Sequence, residues 1–209
     1  MAGSPETSGS APAELSPLIE LVEVMARLRA ECGWKAAQTH RTLAKHLLEE
    51  TYETLEAIEA GDADHLREEL GDVLLQVYLH AAIAAQAGEF DIEDVARGLL
   101  EKMLRRNPHV FGELQETDPA RINDTWEAMK AAEKQRTGLL DGIPAELPAL
   151  SRAAKVLDRL ERAGSPVPVA RPGESANIGD RLLALVAEAG ESGVDPEQAL
   201  RDAVRRVSS

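Results

Sequence analysis

The chain has 209 residues, 44% of them hydrophobic and 29% charged, which suits one sizeable globular domain with extensions and excludes a disordered polymer. Its formal charge of −14 argues against wrapping a nucleic-acid backbone or resting on an anionic membrane, and no apolar run approaches membrane-spanning length. The single cysteine, Cys32, excludes an internal disulfide or a cysteine zinc cluster.

Residues 1–16, MAGSPETSGSAPAELS, lack the basic start and apolar core of a signal peptide and read as a disordered tail, so a cytoplasmic location is expected. Aromatics make up only 3%, and alternating β-branched runs are nearly absent, so an all-α fold is expected. A first helix is predicted from about Pro17 to Ala30, with Leu18, Leu21, Val22, Met25 and Leu28 on one face. The stretch ECGWKAAQTH follows as a loop, then an acidic helix to about Ala60. Gly61 stops it, Asp62 or Asp64 caps the next helix, and that one ends near Gly88. Asp91 caps a fourth helix reaching Arg106, halted by Asn107-Pro108. Asp118-Pro119 opens a helix through Trp126 to Arg136, DGIPAELPAL turns, and another helix reaches about Ala163. SPVPVARPGES is a Pro-rich linker, and a last helical piece covers Asn177 to Val207.

The acids carry the chemistry. Glu50 and Glu53 stand one turn apart, and Glu69 and Asp72 repeat that spacing on the next helix, so each pair can face a single spot. From Leu47 to Asp64 no Lys or Arg lies among the acids to neutralise them. From Val73 onward the second of these helices is apolar on nearly every side, as a buried helix is. Glu69, Asp72, Gln76 and His80 nonetheless form one polar stripe along it, and such a stripe is costly to bury without a ligand. Mg²⁺, a hard cation bound through carboxylate oxygens, water and phosphates, fits that stripe, and Mn²⁺ could substitute. A solvated acidic face is the plain alternative, and it does not account for polar groups on a buried helix.

A later stretch repeats an earlier one. ELGDVLLQV…EFDIEDVARGLL aligns with NIGDRLLAL…GVDPEQALRDAV, matching Gly71-Asp72 to Gly179-Asp180 and Leu75 to Leu183. The second copy carries Asn177 where the first has Glu69, and no counterpart of Glu50 and Glu53 precedes it. It reads as the degenerate remnant of an internal repeat that has lost its acids, chance similarity of Leu/Ala-rich helices being the alternative.

With these residues in view, the chain resembles the MazG-type nucleoside triphosphate pyrophosphohydrolases. The family's acid motif, EExxE followed by ExxD, matches Glu49, Glu50, Glu53, Glu69 and Asp72. LLEETYETLEAI, REELGDVLLQV, PHVFGE and WEAMKAAEKQRTGLLDGIPAELPAL also read like family text. The resemblance implies an all-α helix bundle completed by dimerisation, and Mg²⁺-dependent cleavage of a triphosphate to monophosphate and pyrophosphate. It implies Glu50, Glu53, Glu69 and Asp72 as metal ligands. It divides the chain into a catalytic domain over 17–115, a helical linker over 116–165, and a Pro-rich linker with half-repeat helices over 166–209. One departure is visible: Cys32-Gly33-Trp34-Lys35 stands where the family usually reads C-P-W-D, which bears on nucleotide preference.

Within that reading Glu49 or Glu53 is the candidate general base. Lys102, Arg105 and Arg106 share a face at the end of the fourth helix and could meet phosphates, or only complement the helix dipole. Trp34 could stack on the base with Gln38 and His40 reading its edge, or be a core anchor. His80 is expected to be a satisfied structural histidine, and His109 and Phe111 to pack the turn after the fourth helix. Trp126, Lys130 and Lys134 form a row that closes over the site or is only a helix surface. A helix apolar all round needs neighbours that one domain of about four helices cannot supply, so a homodimer is expected. Alternatives are a narrower dUTP or phosphoribosyl-ATP hydrolase, or a non-catalytic acidic helical binding module.

Overall fold

The computed structural model describes residues 16–133, 138–169 and 177–208. Among them every regular element is a helix. The chain divides into two compact units, residues 1–114 and 115–209. In the first, α1 spans Pro17–Glu31, its proline at the first helical position where the missing N–H costs nothing. The expected loop holds one helical turn instead, α2, Gly33–Ala36. α3, His40–Ala60, opens on a capping box in which Thr39 and Thr42 exchange side-chain and backbone bonds. Gly61 ends it at φ 70°, a left-handed conformation that glycine adopts without penalty. The Asp62 side chain then accepts from the amides of Asp64 and His65, and α4, Ala63–Ala87, runs back along α3. Asp91 caps α5, Ile92–Arg106, and Pro108 to Phe111 add a short turn of helix, α6.

The core sits where α1, α3 and α4 meet: Met25, Leu43, Tyr78 and Leu79, flanked by Leu21, Leu28, Leu74, Leu75, Ala82, Ile83 and Ile92. Each fully buried large side chain contributes about 1.5–3 kcal/mol. Tyr78 takes its hydroxyl to the Leu18 carbonyl at 2.7 Å, so the buried ring leaves no polar atom stranded. The all-round burial expected of α4 is only partial within one chain, since Leu70 and Val77 remain exposed. Leu99, Leu100, Val110 and Phe111 are exposed too. Phe111 therefore does not pack the turn as expected, because α6 is too short to fold it back; His109 beside it is half-buried. By length and composition α4 is also long and apolar enough to cross a membrane, although Gln76 and His80 interrupt its apolar run.

The second unit holds α7, Pro119–Glu133, α8, Ala149–Arg162, α9, Ile178–Glu191, and α10, Pro196–Ser208. The last helical piece of the sequence is thus two helices, α9 and α10, parted at Gly193 with φ 67°. α8, α9 and α10 pack on one another around Ala184 and Val186. Arg162 ties α8 to α7 through Asp124 and also pairs with Asp158 on its own helix, a bond that raises its pKa. Lys130 lies 4.7 Å from the Trp126 ring centre and pairs with Glu127 at 2.9 Å; Lys134 of that row lies outside the described residues.

Candidate active site

The α3/α4 hairpin folds its two acidic turns against each other. Carboxylate oxygens of Glu50, Glu69 and Asp72 lie within 4.8 Å of one another. Glu53, one turn on from Glu50, is exposed and stands just outside this triangle, near enough that its charge bears on Glu50. Burial, then the charges of Asp72 and Glu53, hold the Glu50 carboxyl above its usual range, while a 3.5 Å bond from Gln76 Nε2 works the other way. Among the described residues no Lys or Arg pairs with any of the four; the one base in contact is His65, 3.1 Å from Glu69 Oε1. Glu69 is only 8% exposed, and its second oxygen is buried without a partner. A buried carboxylate oxygen left bare costs a few kcal/mol by transfer estimates. A hard cation removes that cost, and an all-oxygen donor set is what such a cation takes. The residues therefore fit a divalent metal.

The polar stripe continues up α4. Gln76 is 4% exposed with Oε1 unpartnered, and His80 Nε2 is buried and unpartnered as well. His80 is thus not the satisfied histidine expected from sequence. Its other nitrogen meets His40 across the hairpin, Nδ1 to Nδ1 at 2.6 Å, with the ring planes only 6° apart. One Nδ1 must carry a proton and the other a lone pair, so the two rings cannot both be imidazolium. Burial first and the His40 charge second hold the His80 pKa below the ordinary imidazole range.

His40 connects the stripe to the loop before α3. Gln38 donates to the Trp34 carbonyl at 3.0 Å and accepts from Thr42 Oγ1 at 2.8 Å. Trp34 is 53% exposed, meets His46 edge-on at 6.1 Å, and has Lys35 Nζ 4.9 Å from its ring centre. A ring so exposed is not a core anchor. Glu49 turns to the neighbouring face of α3 and bonds His46 at 2.9 Å, apart from the acid triangle. Lys102 is half-buried, Arg105 exposed and Arg106 buried on α5, and no described contact joins these three to the acids. Sequence reasoning missed two residues. His65 was legible as a base four residues before Glu69. Arg29 was legible as a cation continuing the Leu18–Val22–Met25 stripe of α1, and its side chain is buried.

The family model of the MazG nucleotide pyrophosphohydrolase domain matches residues 38–111, an interval that holds all four acids. An uncharacterized 26.1 kDa protein in the blaB 3' region of Streptomyces cacaoi is 47% identical over 190 residues, 89% of this chain and 77% of that one. The protein named nucleoside triphosphate pyrophosphohydrolase/pyrophosphatase MazG of Thermotoga maritima is 39% identical over 210 residues, 90% of this chain and 81% of its own length. The nucleoside triphosphate pyrophosphohydrolase of Mycobacterium tuberculosis is 41% identical over 90% of this chain, which spans 54% of that protein.

Proposed function

Because this chain belongs to the MazG nucleotide pyrophosphohydrolase family, we propose that it is a Mg²⁺-dependent hydrolase that cleaves nucleoside and deoxynucleoside triphosphates to monophosphate and pyrophosphate, clearing the nucleotide pool. The observation that carries this reading is the convergence of Glu50, Glu69 and Asp72 around an unpartnered Glu69 oxygen, with no Lys or Arg paired to them among the described residues. Glu50, Glu53, Glu69 and Asp72 hold the metal, and Mn²⁺ can substitute. When bound, the cation would supply positive charge against the charge of the triphosphate.

The chain's own groups do the rest. Glu53 is exposed beside the triangle, so it can accept a proton from the water that attacks the α-phosphorus. The bond from that phosphorus to the bridging oxygen breaks, and pyrophosphate leaves with the electron pair. Glu49, held by His46 on the adjoining face, is the second candidate for the base. Trp34 stacks on the nucleobase, and Gln38 and His40 read its edge. His40 and Glu50 are ten residues apart on α3, about 15 Å at 1.5 Å per residue, so base and phosphates are met at different turns of one helix. Lys102, Arg105 and Arg106 share the charge of the leaving pyrophosphate. The exposed Leu70, Val77, Leu99 and Leu100 support a homodimer that covers them.

Pyrophosphate release from a panel of canonical and modified triphosphates, with and without Mg²⁺, tests the reading. The expected result is pyrophosphate rather than orthophosphate, only with metal, from several triphosphates. Turnover of dUTP or phosphoribosyl-ATP alone would point to a narrower hydrolase. Absence of turnover on every triphosphate would leave a non-catalytic acidic module.

A further inference from the structure

A four-residue helix cannot hold itself together, because fixing its backbone costs more than its few hydrogen bonds return. α2 is such a helix, and it carries Trp34. Its last carbonyls need partners from outside. The Gly33 carbonyl accepts from the Ala37 amide and the Trp34 carbonyl from Gln38 Nε2, while a side chain of α1 reaches the turn from outside. Arg29, at the end of α1 and only 9% exposed, directs Nη1 to the carbonyls of both Lys35 and Gln38, the latter at 3.0 Å. The remaining side of its guanidinium grips Gln86 Oε1 of α4 through Nε at 3.0 Å and Nη2 at 2.7 Å. Among the described residues no carboxylate pairs with it. In a chain of net charge −14, a buried cation answered only by neutral oxygens is held for its geometry rather than for an ion pair.

We propose that Arg29 is the positioning residue of nucleotide recognition: it fastens the Trp34–Gln38 turn to α4, and so fixes where the tryptophan ring stands relative to the acid-bearing hairpin. This rests on the reading that Trp34, Gln38 and His40 meet the base. The planar fork reaches two carbonyls and one amide oxygen at once. A lysine in its place presents one point of charge and cannot span them. The acids lie on α3 and α4 and do not touch Arg29, so the clamp acts on substrate binding and leaves the metal alone.

Two variants and two readouts test it in the full-length protein. Arg29→Lys should raise KM for the preferred triphosphate by about tenfold to a hundredfold, the range for losing charge-assisted hydrogen bonds. The value of kcat should stay within about threefold, and the Mg²⁺ concentration for half-activation should not move. Gln86→Leu removes the anchor on α4 and should shift KM in the same direction by less. In a Trp126→Phe background Trp34 is the sole tryptophan, and its quenching by acrylamide should increase in Arg29→Lys without substrate present. Unmoved quenching in Arg29→Lys would overturn the clamp whatever the kinetics, as would a collapse of kcat with KM unchanged. An unmoved KM in Trp34→Ala would overturn the base-recognition reading separately, since the quenching measurement reads the clamp with no nucleotide at all.

Discussion

The α4–α5 and α9–α10 turns are built alike and do different things. Each pivots on a left-handed glycine, Gly88 at φ 72° and Gly193 at φ 67°. Each then restarts on an aspartate that accepts an amide three residues on, Asp91 from Asp94 at 3.0 Å and Asp195 from Gln198 at 2.8 Å. The helices before these turns differ. Gly71-Asp72 lies in the middle of α4, with Glu50 of α3 in front of it, whereas Gly179-Asp180 lies in the first turn of α9. Asn177, aligned with Glu69, is the N-cap there and accepts from the Gly179 amide at 2.7 Å. Asp180 is an acid in the first turn of a helix, where the dipole favours negative charge. Turn chemistry is local and can persist by itself; a carboxylate site needs a second helix facing the first.

The largest effects should fall on one side of this comparison only. Glu53→Gln and Asp72→Asn should each lower turnover at least about a hundredfold, the scale for losing a metal ligand or an oriented charge. Asp180→Asn, at the aligned position, should leave turnover within about twofold. Deleting residues 176–209 should likewise leave pyrophosphate release intact, although stability can fall as Ala184 and Val186 are removed from beside α8. Steady-state rates, with circular dichroism to confirm retained helix, decide the matter. Near-normal turnover in Asp72→Asn, or a folded deletion without activity, would erase the distinction between the two regions.

A smaller test asks whether the shared turn is equally strained in both places. Gly88→Ala and Gly193→Ala should each destabilise by about 1 kcal/mol through the left-handed backbone alone, since an added Cβ meets nothing within 4 Å at either site. Thermal melts should fall by about 2–4 °C in both variants. A loss several times larger at one of them would mean that the turn there holds more than its own backbone.

Most of the hairpin was legible because its signals are local. The Asp62 and Asp91 caps, the Gly61 and Gly88 stops and the period of the apolar faces all act within a few residues, and the helices begin and end within a residue or two of where these signals place them. The stripe Glu69–Asp72–Gln76–His80 was legible because a buried helix makes polar residues conspicuous. What escaped depends on residues far apart in sequence. Arg29 finds Gln86 57 residues away, and His80 finds His40 40 residues away. No periodicity announces either pair. α2 escaped for a related reason: a single turn leans on contacts from outside it, and Arg29 of α1 reaches its Lys35 carbonyl.

The smallest expected effect runs against the usual direction of mutation. Glu50 has its carboxyl pKa raised, by burial and by the charges of Asp72 and Glu53. Between the unfolded value near 4.5 and the raised native one, the folded chain binds more protons than the unfolded chain, so stability declines as pH climbs through that window. At neutral pH the metal-free protein therefore carries a penalty that Glu50→Gln lacks. That variant should melt higher than the parent at pH 7 without metal, and the difference should vanish well below pH 4.5, where Glu50 is protonated in both states. Saturating Mg²⁺ should reverse the order, because the cation stabilises only the chain that can ligate it. Asp180→Asn should show no such gain, since Asp180 lies in the first turn of its helix, where the dipole favours a carboxylate. Equal melting of Glu50→Gln and parent at every pH would mean that the acids of α3 and α4 do not oppose one another, and the two regions would then differ in sequence but not in electrostatics.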